Sequence, residues 1–333
     1  MPLISVILPH YKKNDPYLSE CVSSFLQQTF SDFELLLIDN SQGSHSVLAE
    51  RVSSTDSRII YVYKDGIGKC AARNFGIDMA KGKFICFVDS DDYVKPNYLE
   101  ALLSVFDRFP NASIAIGEGE RVDENGVPLS SFSNANGEYT LISSNPYYAF
   151  CNAGRIGPWE HLILKDTIGK LRFNETIRTM EDRLFFMELY LNVREMVIIS
   201  LPLYCYRTSP DSDTVFQGAD WLNATHLERL FVSNRIFEIV RNKNAEKMVR
   251  DKALKSAIAS CLSYYCGMYS FRHPIDGKAE FYRKQVLSYS KLEQPFCGVA
   301  ARATLRFPRL FYVFLGRWLF SPKARQRRAK KRG

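Results

Sequence analysis

The chain has 333 residues, 46% of them apolar and 24% charged, which gives length and apolar content for a packed core and excludes a disordered polymer. Its net charge of +8 is localised: from Arg302 onward there are 11 Lys or Arg and no acid, and the remainder carries 33 basic against 36 acidic residues. A general nucleic-acid-binding surface is excluded on that distribution.

In chain order, "LISVILP" is a compact apolar run, and "DPYLSECVSSFLQQT" follows as a helix with Asp15 as N-cap and Pro16 in its first turn. "FELLLID" and "RIIYVYK" are the second and third strand-like runs. "GKCAARNFGIDMAKG" reads as a helix bounded by Gly68 and Gly82, "KFICFVD" as a fourth strand, and "KPNYLEALLSVFDRF" as a helix starting at Pro96. "ASIAIGEGERVDENGVPLSS" reads as a strand entering a hairpin with Asn125-Gly126 at its turn. Apolar runs alternating with helices predict an α/β fold, a mostly parallel sheet covered on both faces. After about residue 215 the spacing becomes helical and predicts a C-terminal helical subdomain.

The eight cysteines (Cys21, Cys70, Cys86, Cys151, Cys205, Cys261, Cys266 and Cys297) form no CxxC pair, and several sit in apolar runs as reduced core thiols do. The opening "MPLISVILPHY" has no basic region before its short apolar run and reads as a strand, not a signal peptide. A reducing, cytoplasmic setting is expected.

Open parallel sheets bind ligands outside the carboxyl ends of their strands. Three polar clusters fall there: Pro9-His10-Tyr11, Asp39-Asn40-Ser41, and Asp89 to Asp92 in "FVDSDDYV". Carboxylates that close raise one another's pKa unless a cation or donors compensate. The last cluster is therefore either a solvated turn capping the next helix or a metal site. No GxGxxG follows the first strand, which argues against a dinucleotide oxidoreductase.

"ISVILPHYKKN", "LLLIDNSQGSHS", "GKCAARNFGIDMAKGKFICFVDSDDYV" and "TMEDRLFF", in this order, resemble the nucleotide-sugar-binding domain of family 2 glycosyltransferases. The resemblance covers about residues 3–215 and implies a GT-A fold and an inverting, metal-dependent transfer. It makes Asp89-Ser90-Asp91 a DxD motif that binds the nucleotide sugar. Asp91 would face Mn²⁺ or Mg²⁺, Asp89 the ribose or metal shell, and Asp92 the shell behind. It places Pro9 and Tyr11 beside the base and Asp39 on uracil; loop packing for Tyr11 and a helix N-cap for Asp39 are the plainer readings. Arg73, Asn74 and Gly66 would line the nucleotide side. Asn40 and "SQGSHS" depart from the family's double-Asp and "GSTD" forms.

Glu181-Asp182 corresponds by the same resemblance to the ED motif, with Asp182 as catalytic base and Glu181 as acceptor contact. An acidic pair opening a helix is also favoured by the helix dipole. Trp159 is either an acceptor-binding platform or a core residue. His161 beside it reads as a satisfied polar histidine. Arg207 in "PLYCYRTSPDS" either reaches the diphosphate or pairs with an acid.

The end of the chain joins a short aromatic-rich apolar segment, Leu310 to Phe320, to a polybasic run. The segment is shorter than the roughly 20 residues that span a bilayer, and suits an interfacial helix on an anionic membrane surface. Self-association, core packing and fortuitous nucleic-acid affinity are the other readings. The expected organisation is a glycosyltransferase domain (1–215), a helical subdomain (216–301) and a membrane-association tail (302–333). The expected function is transfer from a UDP-sugar to a glycan or lipid-linked glycan acceptor, at the inner face of the cell membrane, with a homo-oligomer allowed. A catalytically silent membrane-docked scaffold and a nucleotidyltransferase are the alternatives.

Overall fold

The computed structural model describes residues 1–131, 136–143, 157–208, 219–242, 247–271, 274–293, 305–306 and 308–311. Cys151, Cys297, residues 209–218 and most of the basic tail lie outside them. Two units emerge: Met1–Thr176 with Phe185–Ser212, and Ile177–Leu184 with Asp213–Gly333.

In the first unit β1 (Ile4–His10) leads into α1 (Asp15–Leu26), whose Leu18, Cys21, Val22 and Phe25 recur at helical spacing and are buried. Then come β2 (Phe33–Asp39), α2 (Val47–Ser53), β3 (Ile59–Tyr63), α3 (Lys69–Met79) and β4 (Phe84–Phe87). β1 runs parallel to β2 and to β4, and β2 parallel to β3. Buried residues on these strands include Ile4, Val6, Leu8, Leu35, Leu37 and Cys86, as the continuous apolar runs require.

The next elements are β5 (Tyr93–Val94), α4 (Tyr98–Arg108), β6 (Ile114–Val122), β7 (Pro128–Ser131), β8 (Tyr139–Ile142), β9 (His161–Leu164), α5 (Lys165–Ile168), α6 (Glu181–Tyr190) and β10 (Met196–Arg207). The sheet order is β3-β2-β1-β4-β9-β6-β10-β5, with β7 on β6 and β8 on β10. β9 is antiparallel to both β4 and β6, whereas β10 runs parallel to β6. β6 and β7 form the expected hairpin, with Gly126 at φ +81° in its turn.

Three local expectations change. His10 belongs to β1 and lies opposite Asp39, not in the loop beyond. The first helix begins at Asp15 with Asn14 as N-cap, because the Asp15 carboxylate is turned to His10 and Ser46. α4 starts at Tyr98, two residues late, since the Tyr98 amide closes a turn onto the Lys95 carbonyl at 3.0 Å.

α3 packs against β1 through Gly76. A Cβ there would lie 2.5 Å from Ile7 Cγ2, so only glycine permits this approach. In the second unit α7 (Ala219–Asn242), α8 (Lys247–Phe271) and α9 (Gly277–Glu293) supply the helical subdomain, and α10 (Pro308–Phe311) is described in the tail. Leu254, Ala257, Cys261 and Tyr264 form a buried stripe on α8, and Phe237 meets Tyr289 at 5.0 Å between ring centroids. Among the described residues no helix is long and apolar enough to cross a membrane.

Candidate active site

Since β1, β2 and β4 are parallel, their polar ends share one sheet edge. At the end of β2 the Asp39 carboxylate is fully buried. Oδ1 accepts from the Ser41 amide at 3.0 Å, and Oδ2 from the Ser46 amide at 2.6 Å and the Tyr61 hydroxyl at 3.0 Å. Burial alone would raise its pKa, but these donors outweigh it and hold the carboxyl below its usual value. The N-cap of α2 is Ser46, whose Oγ accepts from the Ala49 amide. Asp39 thus shapes the loop from 41 to 46 and is neither that helix's cap nor an open carboxylate.

Pro9 is buried within β1 opposite Ile38, whereas Tyr11, just past the strand, is 38% exposed. Gly66, at φ +57°, lies against Gln42 of the loop after β2, and Gly68, at φ +81°, precedes α3. Arg73 on α3 is buried, and its Nη2 donates to Asp89 Oδ1 at 2.7 Å. The guanidinium also lies 5.3 Å from the Phe173 ring centroid. Asn74 turns elsewhere: it holds the Phe173 backbone in both directions and donates to Glu175 Oε1.

The four residues after Val88 divide their burden. Asp89 and Asp91 are half-buried, while Ser90 and Asp92 are buried. Asp92 accepts from the Tyr204 hydroxyl at 2.7 Å and from the Arg207 amide at 2.7 Å. Burial first, and the neighbouring charges of Asp91 and Asp89 second, push its carboxyl well above the usual range. The same Tyr204 oxygen accepts from the Asp89 amide at 3.2 Å. Ser90 turns inward, its Oγ 3.1 Å from His10 Nδ1 and 3.3 Å from Asn14 Nδ2. The Ser90 side chain is therefore a tether for the loop, held on His10 and Asn14.

Arg207 and Trp159 each make the contacts of one of the two readings open to them. The Arg207 guanidinium donates to the carbonyls of Asp91 (2.9 Å) and Glu124 (2.6 Å) and to Glu20 Oε2 (2.5 Å), and lies over Tyr17. It braces the acidic loop from behind. Trp159 is 7% exposed, stacked on Tyr204 at 4.3 Å with 15° between the planes. That face is covered, and Trp159 packs in the hydrophobic core. His161 is the satisfied histidine expected: Nδ1 lies 3.1 Å from the Gly157 carbonyl and Nε2 2.5 Å from the Tyr190 hydroxyl.

Among the described residues no group of three or more His, Cys, Asp or Glu is placed to hold a metal ion by itself. The donor set suits a different arrangement. Mg²⁺ and Mn²⁺ take oxygen ligands and share them with phosphates, so the half-buried Asp89 and Asp91 meet the requirement as a pair.

Glu181 and Asp182 belong to the second unit and occupy the first turn of α6. Met180 before them has φ 63°, the left-handed region that costs a side-chain-bearing residue free energy. The turn is held from α7: one oxygen of Glu228 accepts from the amides of Arg178 (3.1 Å) and Thr179 (2.8 Å) and from Thr179 Oγ1 (2.9 Å). Glu181 is buried, and Asp182 Oδ1 accepts from the Arg183 amide at 2.7 Å. Tyr204 and Glu228 were not singled out from sequence; His10 was read only as part of the polar cluster after the first strand, and Asp15 only as an N-cap.

Comparison with known proteins gives the class of protein to which this fold belongs. The model of glycosyl transferase family 2 matches residues 5–183, and the chain belongs to that family. It is 28% identical over 219 residues to the uncharacterized glycosyltransferase EpsJ of Bacillus subtilis, covering 64% of this chain and 63% of that protein. It is 27% identical over 217 residues to the poly(ribitol-phosphate) beta-N-acetylglucosaminyltransferase TarS of Staphylococcus aureus, covering 64% of this chain and 37% of that one. The match thus spans less than two thirds of either relative. The crystal structure of S. aureus TarS 1-349 with UDP superposes with a TM-score of 0.65 at 18% identity, covering 93% of this chain and 87% of that chain. A second structure of the same protein, with UDP-GlcNAc, gives 0.64. The GT-A-like sheet with C-terminal helices is accordingly the fold of this chain.

Proposed function

We propose that this glycosyltransferase transfers a sugar with inversion from a UDP-sugar to a hydroxyl of a cell-surface glycan, free or lipid-linked. The observation that carries the reading is the loop after β4. It holds Asp89 and Asp91 half-buried at the carboxyl edge of the sheet, with Arg73 on Asp89 and with Tyr204, Asp92 and Arg207 bracing it from behind. The relatives' names support the sugar chemistry, and the solved TarS complexes with UDP and UDP-GlcNAc support a uridine diphosphate sugar as donor.

In this reading Tyr11 flanks the base, Asp39 fixes the loop around it, and Gly66 leaves room for backbone approach. A divalent cation, Mn²⁺ or Mg²⁺, would neutralise charge on the departing diphosphate when held by Asp89 and Asp91. Arg73 pairs with Asp89 and aims its carboxylate. Asp182 removes the proton of the acceptor hydroxyl as that oxygen attacks the anomeric carbon opposite the leaving group, which inverts the centre. Glu181 contacts the acceptor. The basic tail brings the chain to an anionic cytoplasmic membrane face, peripherally.

Calorimetric titration of UDP with and without Mn²⁺, on the wild type and on Asp91→Ala, tests the donor site. Binding that needs both metal and Asp91 supports the reading, and none under either condition refutes it. Asp182→Asn with retained UDP affinity and near-normal turnover would remove the base assignment.

A further inference from the structure

His10 closes β1 and is fully buried, yet it is a polar ring in an apolar strand. Its Nε2 lies 2.8 Å from Asp15 Oδ1, and its Nδ1 lies 3.1 Å from Ser90 Oγ. Burial lowers the pKa of the ring and favours its neutral form; with the Asp15 oxygen accepting at Nε2, that nitrogen carries the proton and Nδ1 is the acceptor. The Ser90 hydroxyl therefore donates to Nδ1, while its oxygen accepts from Asn14 Nδ2. Asp15 Oδ1 accepts in addition from Ser46 Oγ at 2.7 Å, and the Ser46 amide donates to Asp39.

One connected chain, Ser90–His10–Asp15–Ser46–Asp39, thus runs under the sheet edge from the acidic loop to the loop after β2. The order Ser–His–Asp matches that of a nucleophilic triad, but Ser90 is 1% exposed and has no face from which to attack a substrate. Its position gives it another consequence. Ser90 stands between Asp89 and Asp91, so whatever fixes its side chain constrains the backbone that carries both carboxylates. A displacement of about 1 Å at such groups is enough to cost most of their effect.

We infer that His10 is a positioning residue of the donor site, locking the acidic loop through Ser90 and coupling it to the base-side loop through Asp15. The inference rests on the donor-site reading above. An apolar residue at position 10 fills the same space but leaves the Ser90 hydroxyl without its acceptor. A histidine is what lets one side chain serve the two loops at once.

The two arms separate by substitution. In His10→Asn the side-chain oxygen takes the place of Nδ1 and keeps the Ser90 arm; in His10→Gln the longer amide reaches the place of Nε2 and keeps the Asp15 arm. Hydrogen–deuterium exchange of the peptide spanning residues 88–92 is read on the ligand-free full chain. UDP affinity is read by calorimetry with Mn²⁺ and with a chelator. His10→Gln is expected to speed exchange across 88–92 and to lose about tenfold of the Mn²⁺-dependent UDP affinity, with metal-free affinity unchanged. His10→Asn stays close to wild type in both and instead speeds exchange of the peptide spanning residues 40–46, where the Asp15 arm ends. Ser90→Ala reproduces His10→Gln, and combining the two adds nothing further. Equal losses in the Asn and Gln variants, or unchanged exchange and affinity in His10→Gln, overturn the inference. If exchange responds as expected while the wild type shows no Mn²⁺-dependent UDP binding, the donor-site reading itself falls, and His10's place in it falls too.

Discussion

Acidification from pH 7 to pH 5 is a direct perturbation of His161. This ring is fully buried at the start of β9, stacked on Phe186 at 4.0 Å, with both nitrogens engaged by Gly157 and Tyr190. Burial lowers its pKa from 6.5 to about 3, the two backbone carbonyls nearby opposing only weakly. The sign follows from where protons bind. Between pH 6.5 and 3 the unfolded chain takes up a proton that the folded chain refuses, so stability falls as pH falls through that window. At pH 5 the cost is RT ln[(1 + 10^1.5)/(1 + 10^−2)], about 2 kcal/mol, and at pH 7 it is negligible. Urea denaturation at both pH values should show His161→Gln losing about 2 kcal/mol less than wild type on acidification, whatever its absolute stability. Titration of the wild-type ring by NMR should find it neutral down to pH 4. Equal acid losses in both proteins, or a ring that titrates near 6, would refute the reasoning.

Three further outcomes follow from other contacts. Gly76→Ala drives a methyl to 2.5 Å from Ile7 Cγ2 on a stiff, buried, β-branched side chain; it should destabilise by about 1–3 kcal/mol, read as a lower urea midpoint. Tyr204→Phe removes the donor to Asp92 and the acceptor of the Asp89 amide. It should cost about 2–3 kcal/mol of stability and weaken Mn²⁺-dependent UDP binding, and calorimetry finding full affinity would count against the bracing role. Glu228→Ala withdraws three hydrogen bonds from residues 178–179, just before Glu181-Asp182. Turnover should fall by roughly tenfold with UDP affinity unchanged, measured by steady-state kinetics beside calorimetry.

The strands β1 to β4 were legible because each is an apolar run that ends in polar residues, a local pattern. The DxD residues stood out for the same reason: charge piled at a strand end needs explaining. What stayed hidden was pairing at long range. Nothing in "HLIL" says that it will insert antiparallel between β4 and β6. Nothing in "LYCYR" says that Tyr204 rather than Tyr206 will carry the hydroxyl that reaches Asp92, since both sit on one alternating face. Arg207 and Trp159 were left between two readings each, because a lone arginine or tryptophan has no local signature of burial. Ser90 was drawn into the motif by its neighbours, and only the fold reveals that its side chain points the other way.

The strand β10 has a consequence for the timing of synthesis. The bonds that brace the acidic loop bridge 112 residues between Tyr204 and Asp92, and 115 and 116 residues between Arg207 and its acceptors on Asp92 and Asp91. At translation rates of about 5–20 residues per second, the loop waits on the order of ten seconds for these partners after it leaves the ribosome. During that interval β1 to β4 can already pair, while Asp92 has neither the hydroxyl nor the amide that later encloses it. A nascent chain halted at residue 176 would carry the DxD sequence in full and still lack the residues that give it shape. The acidic loop is thus among the last parts of its domain to mature, and mutations in β10 should reach it first as a defect of folding yield.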